Sequence, residues 1–148
     1  MKFNVLTRYA ISALGYLAAV PPGRVTSCDE IAEALGLPRA FLAKALGLLE
    51  KARLVDSLRG PQGGFRLGRP AQEISLLDVV EAADGPIGGR VDPCGDSANA
   101  KAIDCRLQAV LDRAAEEYRG QFRRVRISDL PTEGEREPAP KKRTRTKK

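Results

Sequence analysis

Apolar residues in the first part of the chain recur every three or four positions, the spacing that places them on one face of an α-helix. This stripe predicts a first helix, and Pro21-Pro22-Gly23 is expected to end it. The stripe consists of Val5, Leu6, Tyr9, Ala10, Ala13, Leu14 and Leu17.

Two shorter helices are expected next, joined by a tight turn. Ser27 and Glu30 have the S-x-x-E spacing of a capping box, so the second helix should begin at Ser27 and stop at Gly36. Pro38 fits the first turn of a third helix, which should run to about Ala52. The residues expected to face inward are Ile31, Ala32, Leu35, Phe41, Leu42, Ala45, Leu46 and Leu49. The pattern predicts a helix-turn-helix, although a helical hairpin without a nucleic-acid function has the same spacing.

A glycine-rich turn with arginines on both sides follows the third helix. It separates two short segments, residues 54–58 and 65–67, and therefore predicts a two-stranded wing. The glycines of Arg59-Gly60-Pro61-Gln62-Gly63-Gly64 allow a tight turn and a close approach of the backbone to a partner. An arginine at the base of such a ribbon suits a phosphate contact or insertion into a minor groove. The wing makes a DNA-binding winged helix the favoured interpretation.

The second half of the chain predicts a fourth helix, a loop and a long fifth helix. The fourth helix covers about residues 74–83 with Ser75 as its cap, and residues 85–100 form a polar, glycine-rich loop. The long helix should begin at about Ala102, and residues 127–130 should add one short turn. Its apolar stripe is Ile103, Leu107, Val110, Leu111, Ala114, Tyr118 and Phe122. A stripe this long is expected to pack on its copy in a second subunit, with packing on the first helix as the alternative.

These elements predict a mainly α fold with a small β-wing. Residues 1–84 would form a winged helix-turn-helix DNA-binding domain, and residues 85–101 a cysteine-containing loop of the sensor type. Residues 102–130 would form the dimerisation helix, and residues 131–148 a disordered basic tail without an apolar pattern.

The positive charge of the chain is unevenly distributed. The 148 residues carry a formal net charge of +6, which favours a polyanionic partner. Seven basic residues and three glutamates give residues 131–148 a charge of +4, which leaves +2 on residues 1–130. A DNA-binding face must therefore come from local clustering, while the tail suits a non-specific DNA tether or a solubilising extension. The chain has no histidine, and this lowers the expectation of an enzyme.

The residues expected to contact double-stranded DNA lie in three places. The N-terminal end of the third helix should enter the major groove, where Arg39 suits bidentate reading of guanine and Lys44 suits a phosphate contact. Arg59 is the strongest candidate in the wing, and further candidates lie near the start of the first helix. The full set is Thr7, Arg8, Tyr9, Arg39, Ala40, Ala43, Lys44, Arg59 and Gln62.

Several segments together carry a family resemblance. The most specific is Ser57-Leu58-Arg59-Gly60-Pro61-Gln62-Gly63-Gly64-Phe65-Arg66-Leu67, followed by Ile74-Ser75-Leu76. The others are Thr7-Arg8-Tyr9-Ala10, Ile31-Ala32-Glu33, Gly36-Leu37, Phe41-Leu42 and Gly47-Leu48-Leu49-Glu50-Lys51-Ala52-Arg53-Leu54-Val55. With these segments, residues 1–130 resemble the IscR/NsrR/CymR-type family of small winged-helix transcriptional regulators. The resemblance implies a homodimeric transcription factor, often a repressor, which binds an imperfect palindrome and dimerises through its long C-terminal helix.

The cysteines match that family only in part. Many relatives hold an iron–sulfur cluster through three cysteines before the dimerisation helix, whereas this chain has Cys94 and Cys105, and the middle cysteine would fall near Asn99. A histidine that some relatives use corresponds to Gln108, and a carboxylate on the first helix corresponds to Arg8. Three interpretations stay open: a [2Fe–2S] cluster completed by aspartates or by a second subunit, a thiol switch, and no sensing role.

Two classes of function follow from the sequence. The leading hypothesis is a sequence-specific DNA-binding regulator that acts as a homodimer. The alternative is a winged-helix module that docks proteins without reading DNA, and the near-neutral folded part favours it slightly. Three cysteines without a disulfide framework suit a reducing cytoplasm, and no run of residues is long enough to span a membrane.

Overall fold

A computed structural model describes residues 2–130 of the chain. Its α-helices are α1 (Val5–Ala19), α2 (Cys28–Leu35), α3 (Arg39–Lys51), α4 (Leu76–Asp84) and α5 (Ala98–Arg124). The antiparallel strands β1 (Val55–Leu58) and β2 (Gly64–Leu67) form the wing, and Ala71–Glu73 and Ile127–Asp129 are single 3-10 turns. The predicted mainly α fold with a small wing is therefore confirmed. The predicted tail, residues 131–148, lies outside the described residues. Within residues 2–130, no helix is both long and apolar enough to cross a membrane.

Ser27 and Ser75 cap the starts of α2 and α4, as the sequence predicted. The hydroxyl of Ser27 accepts a hydrogen bond from the Glu30 amide at 3.1 Å, so α2 begins as predicted. The reciprocal half of the predicted capping box is absent there, because the Glu30 carboxylate pairs with Arg24 at 2.5 Å. The complete box lies at the start of α4, where the Asp78 carboxylate accepts from the Ser75 amide at 2.9 Å.

The turn between α2 and α3 depends on one glycine. Gly36 has a φ of 63°, a left-handed conformation that favours glycine. The Leu37 amide then donates to the Ala32 carbonyl at 3.0 Å and closes the end of α2. Pro38 is the residue before α3 rather than part of its first turn. This turn lets α2 and α3 pack together on the same core, as the helix-turn-helix pattern predicted.

The main core lies where α1, α2, α3 and α4 meet. Its fully buried members include Ala10, Ala13, Leu14, Ile31, Leu42, Ala45, Leu46, Leu49 and Val79. The sequence placed most of these residues correctly. The prediction that Phe41 faces inward is wrong, since this residue is 47% exposed. Leu42 faces the core instead, and adjacent residues of a helix lie about 100° apart around its axis.

The long helix α5 begins four residues earlier than predicted. Ser97 caps it by accepting a hydrogen bond from the Ala100 amide at 3.1 Å, and the residues after this cap continue the helix. The preceding loop is correspondingly shorter than the predicted 85–101. α5 packs on α4 through a second apolar cluster that includes Val80, Ile87 and Ala115.

The chain returns to the main core immediately after α5. The Leu76 amide donates to the Val125 carbonyl at 2.8 Å, and the Ile127 amide donates to the Ile74 carbonyl at 2.9 Å. The side chain of Ile127 is buried in the same cluster as the residues of α1 and α3. The short turn predicted at residues 127–130 is therefore present, and it closes the core that the N-terminal helices form.

Candidate nucleic-acid interface

The outer surface of α3 carries the predicted major-groove residues. Leu42, Ala45, Leu46 and Leu49 face the core, so the opposite side of the helix faces solvent. Ala40, Ala43 and Lys44 are all exposed on that outer side. The ammonium group of Lys44 lies 5.6 Å from the centre of the Phe41 ring, which is a cation–π distance.

Arg39, at the start of α3, is held by a residue of α2. Its Nε donates to the Oδ1 of Asp29, and both side chains are exposed. The hydrogen bond with Asp29 raises the pKa of Arg39 above its ordinary, already high value, so the guanidinium stays charged. The hydrogen bond to this carboxylate uses only Nε, so the N–H groups of the two terminal nitrogens can still donate to a guanine or a phosphate.

The wing places two predicted residues at its turn. β1 and β2 pair with Asp56 opposite Arg66 and Leu58 opposite Gly64, and the Gly63 amide donates to the Gly60 carbonyl at 2.9 Å. Arg59 and Gln62 are exposed in this turn. Arg66 lies 3.6 Å from the Asp56 carboxylate, whereas Arg59 forms no ion pair with any of residues 2–130. Arg59 is therefore the wing arginine with a free charge in the described chain.

The wing is joined by its backbone to the segment before α2. The Thr26 amide donates to the Phe65 carbonyl at 2.9 Å, and the Phe65 amide donates to the Thr26 carbonyl at 2.8 Å. A Cβ atom on Gly64 would lie 2.3 Å from the Thr26 carbonyl oxygen, and one on Gly63 would lie 2.2 Å from that of Leu58. The glycines therefore allow the wing backbone to approach other backbone of the same chain, at Thr26 and Leu58. The sequence did not predict this contact.

The three candidates at the start of α1 occupy different environments. Thr7 is fully buried, so its side chain faces the core and the predicted DNA contact is wrong for this residue. Arg8 is exposed, whereas Tyr9 is half-buried and packs against the main core. The helical period explains the difference, because Thr7 shares a face with the buried Ala10 and Leu14. Arg8 is the candidate on α1 that is fully available to a partner.

Most of the apolar stripe of α5 faces solvent in the single chain. Ile103, Leu107, Val110, Leu111 and Tyr118 are between 39% and 63% exposed. Ala114 is half-buried, and Phe122 packs on Phe3 with 5.7 Å between ring centres. The packing of α5 on α4 uses a neighbouring face of the helix, around Ala115. Five large apolar side chains along one helix therefore remain uncovered by residues 2–130.

The thiols of Cys94 and Cys105 are both exposed. The Cys94 Sγ donates to the Asp104 Oδ1 at 3.4 Å, and this hydrogen bond raises the pKa of the Cys94 thiol. Iron–sulfur clusters are normally held by four ligands, most of them cysteine thiolates. Residues 2–130 hold no group of three or more histidines, cysteines or carboxylates arranged to bind a metal. The residues of one chain therefore do not fit an iron–sulfur cluster.

The position where some relatives place a histidine has a structural role in this chain. Gln108 accepts a hydrogen bond from the Val91 amide at 2.8 Å and donates to the Gly89 carbonyl at 2.9 Å. These two bonds hold the loop between α4 and α5 against the side of α5. The remaining cysteine, Cys28, is half-buried, and burial raises the pKa of its thiol.

The arrangement of helix-turn-helix, wing and long C-terminal helix agrees with comparisons to known proteins. The sequence pattern of the Rrf2 family, described as iron-dependent transcriptional regulators, matches residues 3–133. The chain belongs to the Rrf2 family. It is therefore a DNA-binding transcriptional regulator rather than an enzyme, and the family resemblance seen in the sequence is confirmed.

Solved structures support the same Rrf2 assignment. The protein is similar to CymR of B. subtilis, described as its global cysteine regulator, with 27% identity and a TM-score of 0.61 over 88% of this chain and 95% of that one. It is similar to T. potens IscR, with 25% identity and a TM-score of 0.63 over 87% of this chain and 85% of that one. The oxidised form of Staphylococcus aureus CymR matches with 25% identity, a TM-score of 0.62 and coverage of 88% and 95%.

Proposed function

We propose that this Rrf2 protein is a homodimeric repressor that binds an inverted-repeat operator. The observation that carries this proposal is the row of five exposed apolar residues on α5. Monomeric proteins rarely expose such a continuous apolar row, and a second copy of α5 would cover it. A two-fold dimer presents two identical recognition helices, so its best target is a palindrome with two half-sites. A dimer bound across a promoter would exclude the polymerase, which is why repression is the proposed mode.

Each half-site would be contacted by three parts of one subunit. The N-terminal half of α3 would enter the major groove, with Arg39 donating to guanine through its terminal nitrogens and Lys44 meeting a phosphate. Arg59 would contact the minor groove or the backbone from the wing, with Gln62 beside it. Arg8 on α1 would add a phosphate contact. The exposure of these side chains supports the assignment.

The proposed function does not depend on a cluster. Because the donor set of one chain does not fit an iron–sulfur cluster, neither cysteine is assigned a role in DNA binding. The single subunit thus supports a regulator whose DNA-binding surface is formed by α1, α3 and the wing.

The first test is to select bound sequences from a pool of random DNA duplexes with the full chain. We expect an inverted repeat that binds about 10³-fold or more tightly than a scrambled duplex at the same salt concentration. Affinity should fall with added salt, since phosphate contacts release counterions. If no sequence is enriched and the affinity for all duplexes is equal, the protein does not read DNA, and the protein-docking alternative would replace this proposal.

Replacing Arg59 with alanine should lower operator affinity several-fold without changing the free energy of unfolding. The guanidinium is exposed and has no carboxylate partner within residues 2–130, so its loss removes a DNA contact but no internal one. Fluorescence anisotropy with the selected operator measures the effect. Arg90→Ala, an exposed arginine in the loop before α5, is the matched control. Equal affinity of the Arg59 and Arg90 variants would remove Arg59 from the interface.

A further inference from the structure

The recognition surface of α3 has few groups that can form hydrogen bonds. Ala40 and Ala43 present methyl groups, and Phe41 presents half of an aromatic ring. The donors on this half of the helix are Arg39, which Asp29 holds at the first turn, and Lys44, whose ammonium lies over the Phe41 ring. Between these two cations the surface is apolar.

A base edge in the major groove offers mostly donors and acceptors, and an alanine or a phenylalanine can satisfy none of them. The exception is the C5 methyl group of thymine, which is the apolar group that the major groove displays. An apolar side chain placed against that methyl group removes apolar surface from water on both sides. The same side chain placed against a cytosine would leave the exocyclic amino group without a partner.

We propose that Ala40, Phe41 and Ala43 read the C5 methyl groups of thymines in each half-site. This inference rests on the proposed function, because it assumes that α3 enters the major groove. It names the kind of sequence that this helix selects: a run of A·T pairs whose thymine methyls line one side of the groove. A guanine next to that run would meet Arg39.

Phe41 has the largest part in this reading surface. About half of the Phe41 ring is exposed, so an apolar face is available to a group of the DNA. The buried Leu42 anchors the helix next to Phe41, and the Lys44 ammonium lies 5.6 Å from the centre of the ring. Because the helix is already formed and anchored on the core, binding need not order the backbone that carries this ring.

The experiment uses the full chain and the operator enriched from the random pool. Each thymine of a half-site is replaced in turn by deoxyuridine, which lacks only the methyl group and keeps the hydrogen-bonding edges unchanged. We expect at least one such replacement per half-site to weaken binding by about threefold to tenfold. Thymines in the flanking sequence serve as the matched control and should tolerate the change. Equal affinity for thymine and uracil at every half-site position would overturn the inference.

The Phe41→Ala variant connects the effect to the helix. Its operator affinity should fall, and its preference for thymine over uracil should approach one at one position of each half-site. Because Phe41 is half exposed and lies outside the buried core, the melting temperature should stay close to that of the unchanged protein. Phe41→Leu, which keeps an apolar side chain, should retain most of the preference. If Phe41→Ala keeps the full preference at every position, Phe41 is not a reading residue. If the pool enriches no sequence at all, the proposed function fails instead.

Discussion

Replacing Leu107 and Leu111 together with aspartate is expected to make the protein monomeric and to weaken operator binding by about a hundredfold. Both side chains lie in the exposed apolar row of α5 and outside the two apolar cores formed by residues 2–130, so the fold of one subunit should survive. In the dimer, the two new carboxylates of each subunit would be buried without partners, at a large cost in free energy. Each monomer would then bind one half-site, without the gain that linking two half-sites provides.

Sedimentation equilibrium and binding to the selected operator together test this result. Ala102→Asp with Ala109→Asp is the matched control, because these exposed alanines add the same two charges to another face of α5. The control should remain a dimer with unchanged affinity. A Leu107 and Leu111 variant that stays dimeric would show that the subunits associate elsewhere. A monomer that binds the full operator as well as the dimer does would contradict the two-half-site model.

Gly64→Ala is expected to destabilise the protein by about 2 kcal/mol or more and to weaken operator binding as well. The added Cβ would lie 2.3 Å from the Thr26 carbonyl oxygen, and backbone cannot move aside as the end of a flexible side chain can. To relieve this contact, the wing must separate from Thr26 and lose the two hydrogen bonds that Phe65 makes. Arg59 is the first residue of the turn that joins β1 to β2, so it would move with the wing and contact DNA less well.

Urea unfolding measures the stability change, and anisotropy measures the binding change. Gly15→Ala is the control, because this glycine lies inside α1 and an added Cβ there would have no neighbouring atom within 4 Å. Alanine there should leave stability unchanged or raise it by about 0.5–1 kcal/mol through its better helix propensity. If the Gly64 and Gly15 variants are equally stable, the backbone contact between the wing and Thr26 does not constrain the fold.

The sequence predicted the helices and the wing because each has a local signal. Ser27 and Ser75 mark helix starts, Gly36 marks a helix end, and the apolar period gives the faces. The failures share a physical reason, since they depend on neighbours distant in sequence. Phe41 fits the same apolar pattern as Leu42, and only the packing of α3 on the core decides which one is buried.

The sequence predicted the exposure of the polar and charged site residues better than that of a small residue such as Thr7. Arg59, Gln62 and Lys44 lie on the surface, as expected of polar side chains in turns and on outer helix faces. Thr7 sits in a motif shared with the exposed Arg8, and the sequence alone did not separate the buried member from the exposed one. The Asp29–Arg39 pair joins α2 to α3, so it becomes visible only when the two helices are placed together.

The burial of Ile127 against α1 and α3 has a consequence during synthesis of the chain. Segments made early usually fold as they leave the ribosome, but this core lacks one of its members until residues near position 127 emerge. The nascent recognition helix and wing would thus rest on an incomplete core while α5 is still being made. If the proposed dimer forms through α5, tight binding to the operator would follow only after α5 has been synthesised and has met its partner. On this proposal, incomplete chains would compete only weakly with finished dimers for promoter DNA.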